Sequence, residues 1–211
     1  MKIITIRHGE TEWNVQGREM GQLDSPLTPR GLQQAKAIAK RLSNHPFSTL
    51  YSSDLGRARQ TAELIGAACK LPIQIHQGLR ERNMGIFQGL TRQEMSQKFP
   101  AEMAAYKQIG FEYVIPNGES AKQRYERSVR TMTELANRHP EPDATIVAVT
   151  HGGFLRGFFE YVLDMPPTNG WRFKRYNASY SAFEFKDNNW ILETWNDIGH
   201  LQDMETLHDS V

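Results

Sequence analysis

Apolar and polar positions along the chain follow two alternating rhythms. Ile3, Ile4 and Ile6 make residues 2–7 a short apolar run that reads as a buried strand, running straight into Arg7-His8-Gly9-Glu10. Thr28-Pro29 then marks a helix start, with Thr as N-cap and Pro at the first helical position. Leu32, Ala35, Ile38, Ala39 and Leu42 follow at helical spacing, with Lys36, Lys40 and Arg41 mostly between them. A second strand is expected at 48–52, ending in Ser52-Ser53. After it comes a helix over 55–68 with Ala58, Ala62, Ile65 and Ala68 on its apolar stripe. Residues 72–76 read as a short strand, 91–98 and 101–108 as short helices, and Glu119 to Arg138 as a long helix. Ala144 to Thr150 is an apolar run suited to a central parallel strand, which His151-Gly152-Gly153 ends before a helix reaching Leu163. Asn177 to Phe185 and Trp190 to Trp195 resemble a hairpin, with Lys186-Asp187-Asn188-Asn189 as the turn region.

Strands alternating with helices, with no repeat or linker between them, predict one α/β domain over 1–211. The expected form is three layers, α/β/α, around a mostly parallel sheet. The stretch 83–118 fits the alternation least and reads as an insert. Composition narrows the function classes. With 25 basic and 24 acidic residues the formal charge is +1, so no global field draws nucleic acid or an anionic membrane. The single cysteine, Cys69, cannot form an internal disulfide or a Cys-rich zinc site, and it reads as a small core residue near a helix end. The apolar run at the amino terminus is too short for a secretory core, and nothing approaches the ~18–20 apolar residues of a membrane span. A cytoplasmic location is the expectation, and a homodimer is compatible with the chain.

Reactive residues gather at the predicted strand ends: Arg7-His8, Ser52-Ser53 leading to Arg57, and Thr150-His151, with Leu79-Arg80-Glu81 after the short strand. In a parallel sheet such ends share one edge, and the helices that follow aim their amino ends at it, which favours an anion there. Gly9 is expected to permit a tight turn through backbone angles closed to other residues. Arg57 and Thr61 are four apart and share a helix face, while Arg59 points roughly the other way. Each residue also has a plain structural reading. His8 reads equally as a satisfied strand-end histidine, Arg57 as solvating its helix, Glu81 as a surface ion pair with Arg80 or Arg82, and His151 as a strand terminator. Their joint placement at strand ends favours a phosphate pocket.

Arg7-His8-Gly9-Glu10-Thr11 with Asn14 resembles the signature of the histidine phosphatase superfamily, in its cofactor-dependent phosphoglycerate mutase-like branch. The likeness continues through Leu27-Thr28 and Gly31, then Ser52-Ser53-Asp54-Leu55, Arg57-Ala58 and Gln60-Thr61-Ala62. It resumes at Leu79-Arg80-Glu81, Gly85, Gly89, Gly118-Glu119-Ser120 and Thr150-His151-Gly152-Gly153. The resemblance implies that His8 takes the phosphoryl group as a phosphohistidine, while Arg7, Arg57 and a protonated His151 clamp the phosphoryl oxygens. It implies Glu81 as the acid that protonates the leaving oxygen and then activates water. Asn14, Gln22 and Gly152 would add neutral contacts to the substrate. No metal and no cofactor are expected, because arginines supply the positive charge.

The same pocket serves mutases and phosphatases. The short 83–118 insert, expected to cover the substrate, favours a phosphatase acting on small phosphorylated metabolites. Gln88 instead resembles the mutase pattern, so a cofactor-dependent phosphoglycerate mutase is the alternative, and a non-catalytic phosphate-binding module of the same fold a more distant one. Phe99, Tyr106, Phe111, Tyr113, Trp171, Phe173 and Tyr176 read either as an aromatic lid or as core. The closing segment Trp195 to Leu201 resembles tails of bacterial phosphoglycerate mutase-like phosphatases, which makes His200 a candidate contact for a substrate carboxylate. Arg80, Arg82, Lys174 and Arg175 are further anion contacts or surface charges.

Overall fold

Both rhythms resolve around one sheet. The structure, a computed structural model, describes residues 1–166, 172–202 and 204, so Trp171 lies outside the described residues. Strands β1 (Lys2–Arg7), β2 (Thr49–Ser52), β3 (Ile73–Ile75), β4 (Thr145–Thr150), β5 (Tyr180–Lys186) and β6 (Asn189–Asp197) lie in the order β3-β2-β4-β1-β5-β6. β1 to β4 are mutually parallel; β5 runs antiparallel to β1, and β6 antiparallel to β5. The helices are α1 (Glu12–Val15), α2 (Pro29–Leu42), α3 (Gly56–Cys69), α4 (Arg92–Lys98), α5 (Pro100–Ile109), α6 (Ala121–Asn137) and α7 (Gly152–Val162).

Side chains alternate across the pleat, so the central strands divide their apolar residues between two cores. Ile4, Ile6, Leu50, Val147 and Val149 pack with Ile38 and Leu42 of α2 and Ala58 and Ile65 of α3. Ile3, Tyr51, Ile146, Ala148 and Phe183 pack with Met132 and Leu135 of α6 and Phe154 and Phe158 of α7. Three layers follow. Each fully buried Ile, Leu or Phe is worth about 1.5–3 kcal/mol, which is why the interiors of β1 and β4 are apolar apart from Thr5, whose hydroxyl donates to Ser181 O.

Two details of the helix stripes differ from the periodicity. Leu32 is 41% exposed, and Ala68 also faces solvent, because residues ten apart on an α-helix sit ~80° apart around its axis. Gln34 takes the inward place on α2, where its Oε1 accepts from Glu10 N at 2.9 Å, and Gly66 takes it on α3. The hairpin turn is narrower than expected: Lys186 and Asn189 pair in the ladder, leaving Asp187 and Asn188 at positive φ of 51° and 59°. Cys69 ends α3 half-buried against the α2–α3 core.

The 83–118 segment builds a small core of its own from Met84, Phe87, Met95, Met103 and Ile115. Phe99 and Tyr106 meet Phe87 edge-on, and Tyr113 meets Tyr106, so these aromatics are core. Phe111 packs on Tyr125 of α6, and Phe173 on Phe159 of α7. Among the described residues no helix is long and apolar enough to cross a membrane.

Candidate active site

β2, β4 and β1 are neighbours and parallel, so Ser52-Ser53, Thr150-His151 and Arg7-His8 leave the sheet at one edge. Because β5 runs the opposite way, the segment before it arrives at that same edge. There Ala178 N donates to His8 O at 3.1 Å, and Asn177 Nδ2 donates to His8 O at 3.1 Å and to Asn14 Oδ1 at 3.2 Å. Asn177 is buried; the sequence pattern reads it as the first residue of a hairpin strand, whereas the strand starts at Tyr180 and Asn177 belongs to the turn before it.

His8 is 1% exposed, and its Nδ1 lies 2.8 Å from Gly9 O. A carbonyl can only accept, so Nδ1 carries the hydrogen and Nε2 presents a lone pair. Arg57 Nε donates to that Nε2 at 3.3 Å. Burial, and then the charges of Arg57 and Arg7, hold the His8 imidazole well below the ordinary histidine range, so it is neutral at pH 7. Arg57 is itself 1% exposed. Its Nη1 and Nη2 donate to Leu23 O and Gly21 O at 2.8 Å each, and Asp24 pairs with Nη1 at 3.2 Å. Asp24 also accepts from Gly56 N and Arg57 N, capping α3 from another segment because Leu55 at the N-cap has no polar side chain. Arg7 Nη1 donates to Arg175 O.

His151 stands with its ring 5.2 Å from that of His8 and tilted by 54°. It is fully buried, yet neither ring nitrogen has a hydrogen-bond partner among the described residues. Leaving buried polar groups unmet costs about 1–3 kcal/mol each, so the arrangement favours a ligand that meets them. Burial, then Arg57, then His8 hold His151 well below its ordinary value. In this ligand-free form it is therefore neutral; the protonated clamp expected from the sequence belongs to a site holding phosphate, whose negative charge favours the imidazolium.

Glu81 reaches into the same place. Its Oε1 accepts from Arg82 N at 2.7 Å and its Oε2 from Gly153 N at 2.8 Å. A Cβ on Gly153 would sit 2.1 Å from Glu81 Oε1, and one on Gly152 3.3 Å from Arg7 Nε, so this glycine pair admits two side chains to the start of α7. Gly9 serves a different purpose from the one expected. It is not among the residues with positive φ; a Cβ there would lie 2.5 Å from Gly31 O, so backbone contact with the start of α2 demands glycine.

Asn14 Oδ1 accepts from Thr11 N, Thr11 Oγ1 and Asn177 Nδ2 at 3.0–3.2 Å, which leaves its amide hydrogens for a ligand. Gln22 is tied to the site from two sides: its Nε2 donates to Glu81 O at 3.1 Å, and its N donates to Gln88 Oε1 at 2.6 Å. His200 is placed apart from this cluster. Its Nε2 bonds Ala178 O at 3.0 Å and its Nδ1 lies 3.4 Å from Arg41 Nη1, whose Nη2 pairs with Asp197 at 2.6 Å. Burial and Arg41 push His200 down to about 4. Arg80 is committed to Asp54, and buried Arg82 donates to Glu119 O at 3.1 Å.

Glu19 is missed by motif reading. Its side chain is exposed, yet protein crowds its carboxyl enough that burial, and then Glu81, push its pKa up. Both hold for a group on the wall of a cleft. Among the described residues no three of His, Cys, Asp and Glu gather as a metal-ligand set. Hollows elsewhere, one beside Phe47 and Cys69 and one beside Leu27 and Leu64, bring no arginines together.

Comparison with known proteins agrees with this geometry. Residues 3–198 match the model of the histidine phosphatase superfamily, branch 1. The chain is 36% identical over 209 residues to a metal-independent phosphoserine phosphatase of Arabidopsis thaliana, covering 98% of this chain and 85% of that one. It is 37% identical over 206 residues to phosphoglycerate mutase-like protein 4 of the same plant, covering 96% and 87%. A mycobacterial glucosyl-3-phosphoglycerate phosphatase solved with VO3 superposes with a TM-score of 0.81 at 32% identity, over 93% of this chain and 99% of that one. With a neutral histidine beside arginines at a shared strand edge and the family model matched over residues 3–198, this chain belongs to the histidine phosphatase superfamily, branch 1.

Proposed function

We propose that the protein is a metal-independent phosphatase that hydrolyses small phosphate monoesters through a phosphohistidine on His8. The observation that carries this reading is the buried, neutral His8, whose Nδ1–H is spent on Gly9 O so that Nε2 offers its lone pair beside Arg57. Arg57, Arg7, Asn14 and His151, which takes up a proton from solvent as the dianion arrives, donate to the phosphoryl oxygens, and an incoming oxygen takes over the Arg57 donor from His8. Nε2 attacks phosphorus as the ester P–O bond breaks, and Glu81, entering as the carboxylic acid, gives its proton to the leaving oxygen. The resulting Glu81 carboxylate then takes a proton from water as that water attacks the phosphohistidine. Inorganic phosphate leaves, and His8 returns to neutrality. Fixed cations stabilise the charge spread over the phosphoryl oxygens, the task a divalent metal performs elsewhere.

Relatives named for phosphoserine and glucosyl-3-phosphoglycerate support a small phosphorylated metabolite as substrate. The insert borders the site through Gln88 and through Gly89 N, which donates to Glu19 O at 2.7 Å, and so forms the wall nearest the leaving group. His8→Ala should abolish hydrolysis of 4-nitrophenyl phosphate while the circular dichroism melt is retained, and rapid acid-free quenching of the parent should trap one labelled histidine. Substantial turnover by the variant would sink the nucleophile assignment. The mutase reading is kept by relatives named phosphoglycerate mutase-like protein 4 and probable phosphoglycerate mutase GpmB. Gln88 does not decide it, because its amide oxygen acts only as an acceptor for Gln22 N, a task a carboxylate performs equally well. Incubation with 3-phosphoglycerate separates the two: free phosphate without 2-phosphoglycerate marks a phosphatase.

A further inference from the structure

Glu81 hangs from a segment, Arg80 to Asn83, that belongs to no strand or helix, so its backbone groups must find partners elsewhere. One side chain of α6 meets two of them, together with a carbonyl of the turn before. Arg127 Nη1 donates to Gly78 O at 2.9 Å and to Arg80 O at 2.7 Å, and Nη2 donates to Glu81 O at 3.1 Å. The remaining edge of the guanidinium forks onto Glu119, with Nε to Oε1 at 2.9 Å and Nη2 to Oε2 at 2.8 Å. Glu119 fastens the far end of the segment. Its Oε2 accepts from Asn83 N at 2.8 Å, its backbone N donates to Asn83 O at 2.9 Å, and its O accepts from Arg82 Nε at 3.1 Å.

We infer that Arg127, oriented by Glu119, is a positioning residue for Glu81: the pair fixes the backbone from which the carboxyl reaches the leaving oxygen. The inference rests on the reading of Glu81 as the acid and base. A planar fork with five donors can hold three carbonyls and a carboxylate at once, whereas a lysine ammonium brings the same charge on one nitrogen. None of the hydrogen bonds of Arg127 goes to Arg7, Arg57, His8 or His151; only its charge reaches His151, and Arg127→Lys keeps that charge while removing the fork. A displacement of ~1 Å at a reacting group can cost ~100-fold in rate, so small slack in this loop is enough to matter.

Phenyl phosphate and 4-nitrophenyl phosphate separate the acid from the clamp, since they share a shape but 4-nitrophenolate departs without a proton. Their kcat/KM values are compared in the parent, Arg127→Lys, Glu119→Gln and Glu81→Gln, together with the melting temperature and competitive inhibition by inorganic phosphate. Arg127→Lys should lose roughly tenfold or more beyond its 4-nitrophenyl loss when assayed on phenyl phosphate, as Glu81→Gln does, with phosphate inhibition little changed. If Arg127→Lys melts too low to assay, Glu119→Gln carries the same comparison. Equal losses on both esters, with Glu81→Gln still selective, overturn the positioning role. A Glu81→Gln variant with no selectivity removes the acid assignment, and the positioning role falls with it.

Discussion

At the scale of single residues, protonation is set by what surrounds each imidazole. His8 and His151 are buried, and beside the charges of Arg57 and Arg7 a further positive charge is disfavoured. Neutrality leaves His8 Nε2 the lone pair that the proposed attack on phosphorus needs. For His151 it is a resting state that a bound dianion should reverse, because an opposite charge at contact favours the charged form. Binding of sulfate, which does not titrate near neutrality, should therefore take up a proton. Calorimetric enthalpies at pH 7 should depend on the ionisation enthalpy of the buffer, and the dependence should vanish in His151→Gln; no dependence in the parent would mean that His151 stays neutral. Gly153 offers a second test. A methyl group there would lie 2.1 Å from Glu81 Oε1, and the flexible end of Glu81 would give way before the fold does. Gly153→Ala should keep its melting temperature and lose turnover by ~100-fold or more, in line with a displaced acid.

Among the elements, α3 shows how a site residue depends on a partner invisible in its own segment. The helix starts behind Leu55, which cannot cap it, and Asp24 from the loop before α2 accepts Gly56 N and Arg57 N while pairing with the Arg57 guanidinium. Asp24→Ala should cost about 0.5–2 kcal/mol in denaturant titration, the usual worth of an N-cap, and should weaken inhibition by phosphate as Arg57 loosens. A loss of stability with unchanged phosphate affinity would show that Leu23 O and Gly21 O hold Arg57 without it. β5 makes a similar point. Its reversed direction delivers Asn177 to His8 and Asn14, although the hairpin pattern predicts only that two strands pair.

Over the whole molecule, the depressed histidines couple the site to stability. His8 and His151 fall well below 6.5 in the fold, and His200 falls to about 4. In the unfolded chain all three take up protons below about 6.5, so the unfolded state binds more protons than the native one and stability falls with falling pH. The melting temperature of the free protein should be level above pH 6.5 and decline from there toward pH 4, before the paired carboxylates of Asp54 and Asp197 begin to protonate. His200→Asn should make that limb shallower; an unchanged limb would place the linkage elsewhere.

The strands, the long helices and the motif residues at their ends were legible in the sequence alone, because burial on both faces writes β1 and β4 as apolar runs and places their polar residues where the runs stop. The same reading put His8, Arg57, Glu81 and His151 together, since parallel neighbours share an edge. Tertiary structure decided the rest. Gly9 is glycine because another backbone passes it, which no local pattern records. Asp24, Asn177 and Arg127 reach the site across long separations, and each is held in part by backbone carbonyls or amides, which carry no sequence signature. His200 belongs to the Arg41–Asp197 network because the final turn packs against α2, a placement that a tail motif cannot specify. Chemistry held by side-chain type at strand ends is written locally, whereas the orientation of those side chains is set by contacts that exist only once the layers have closed.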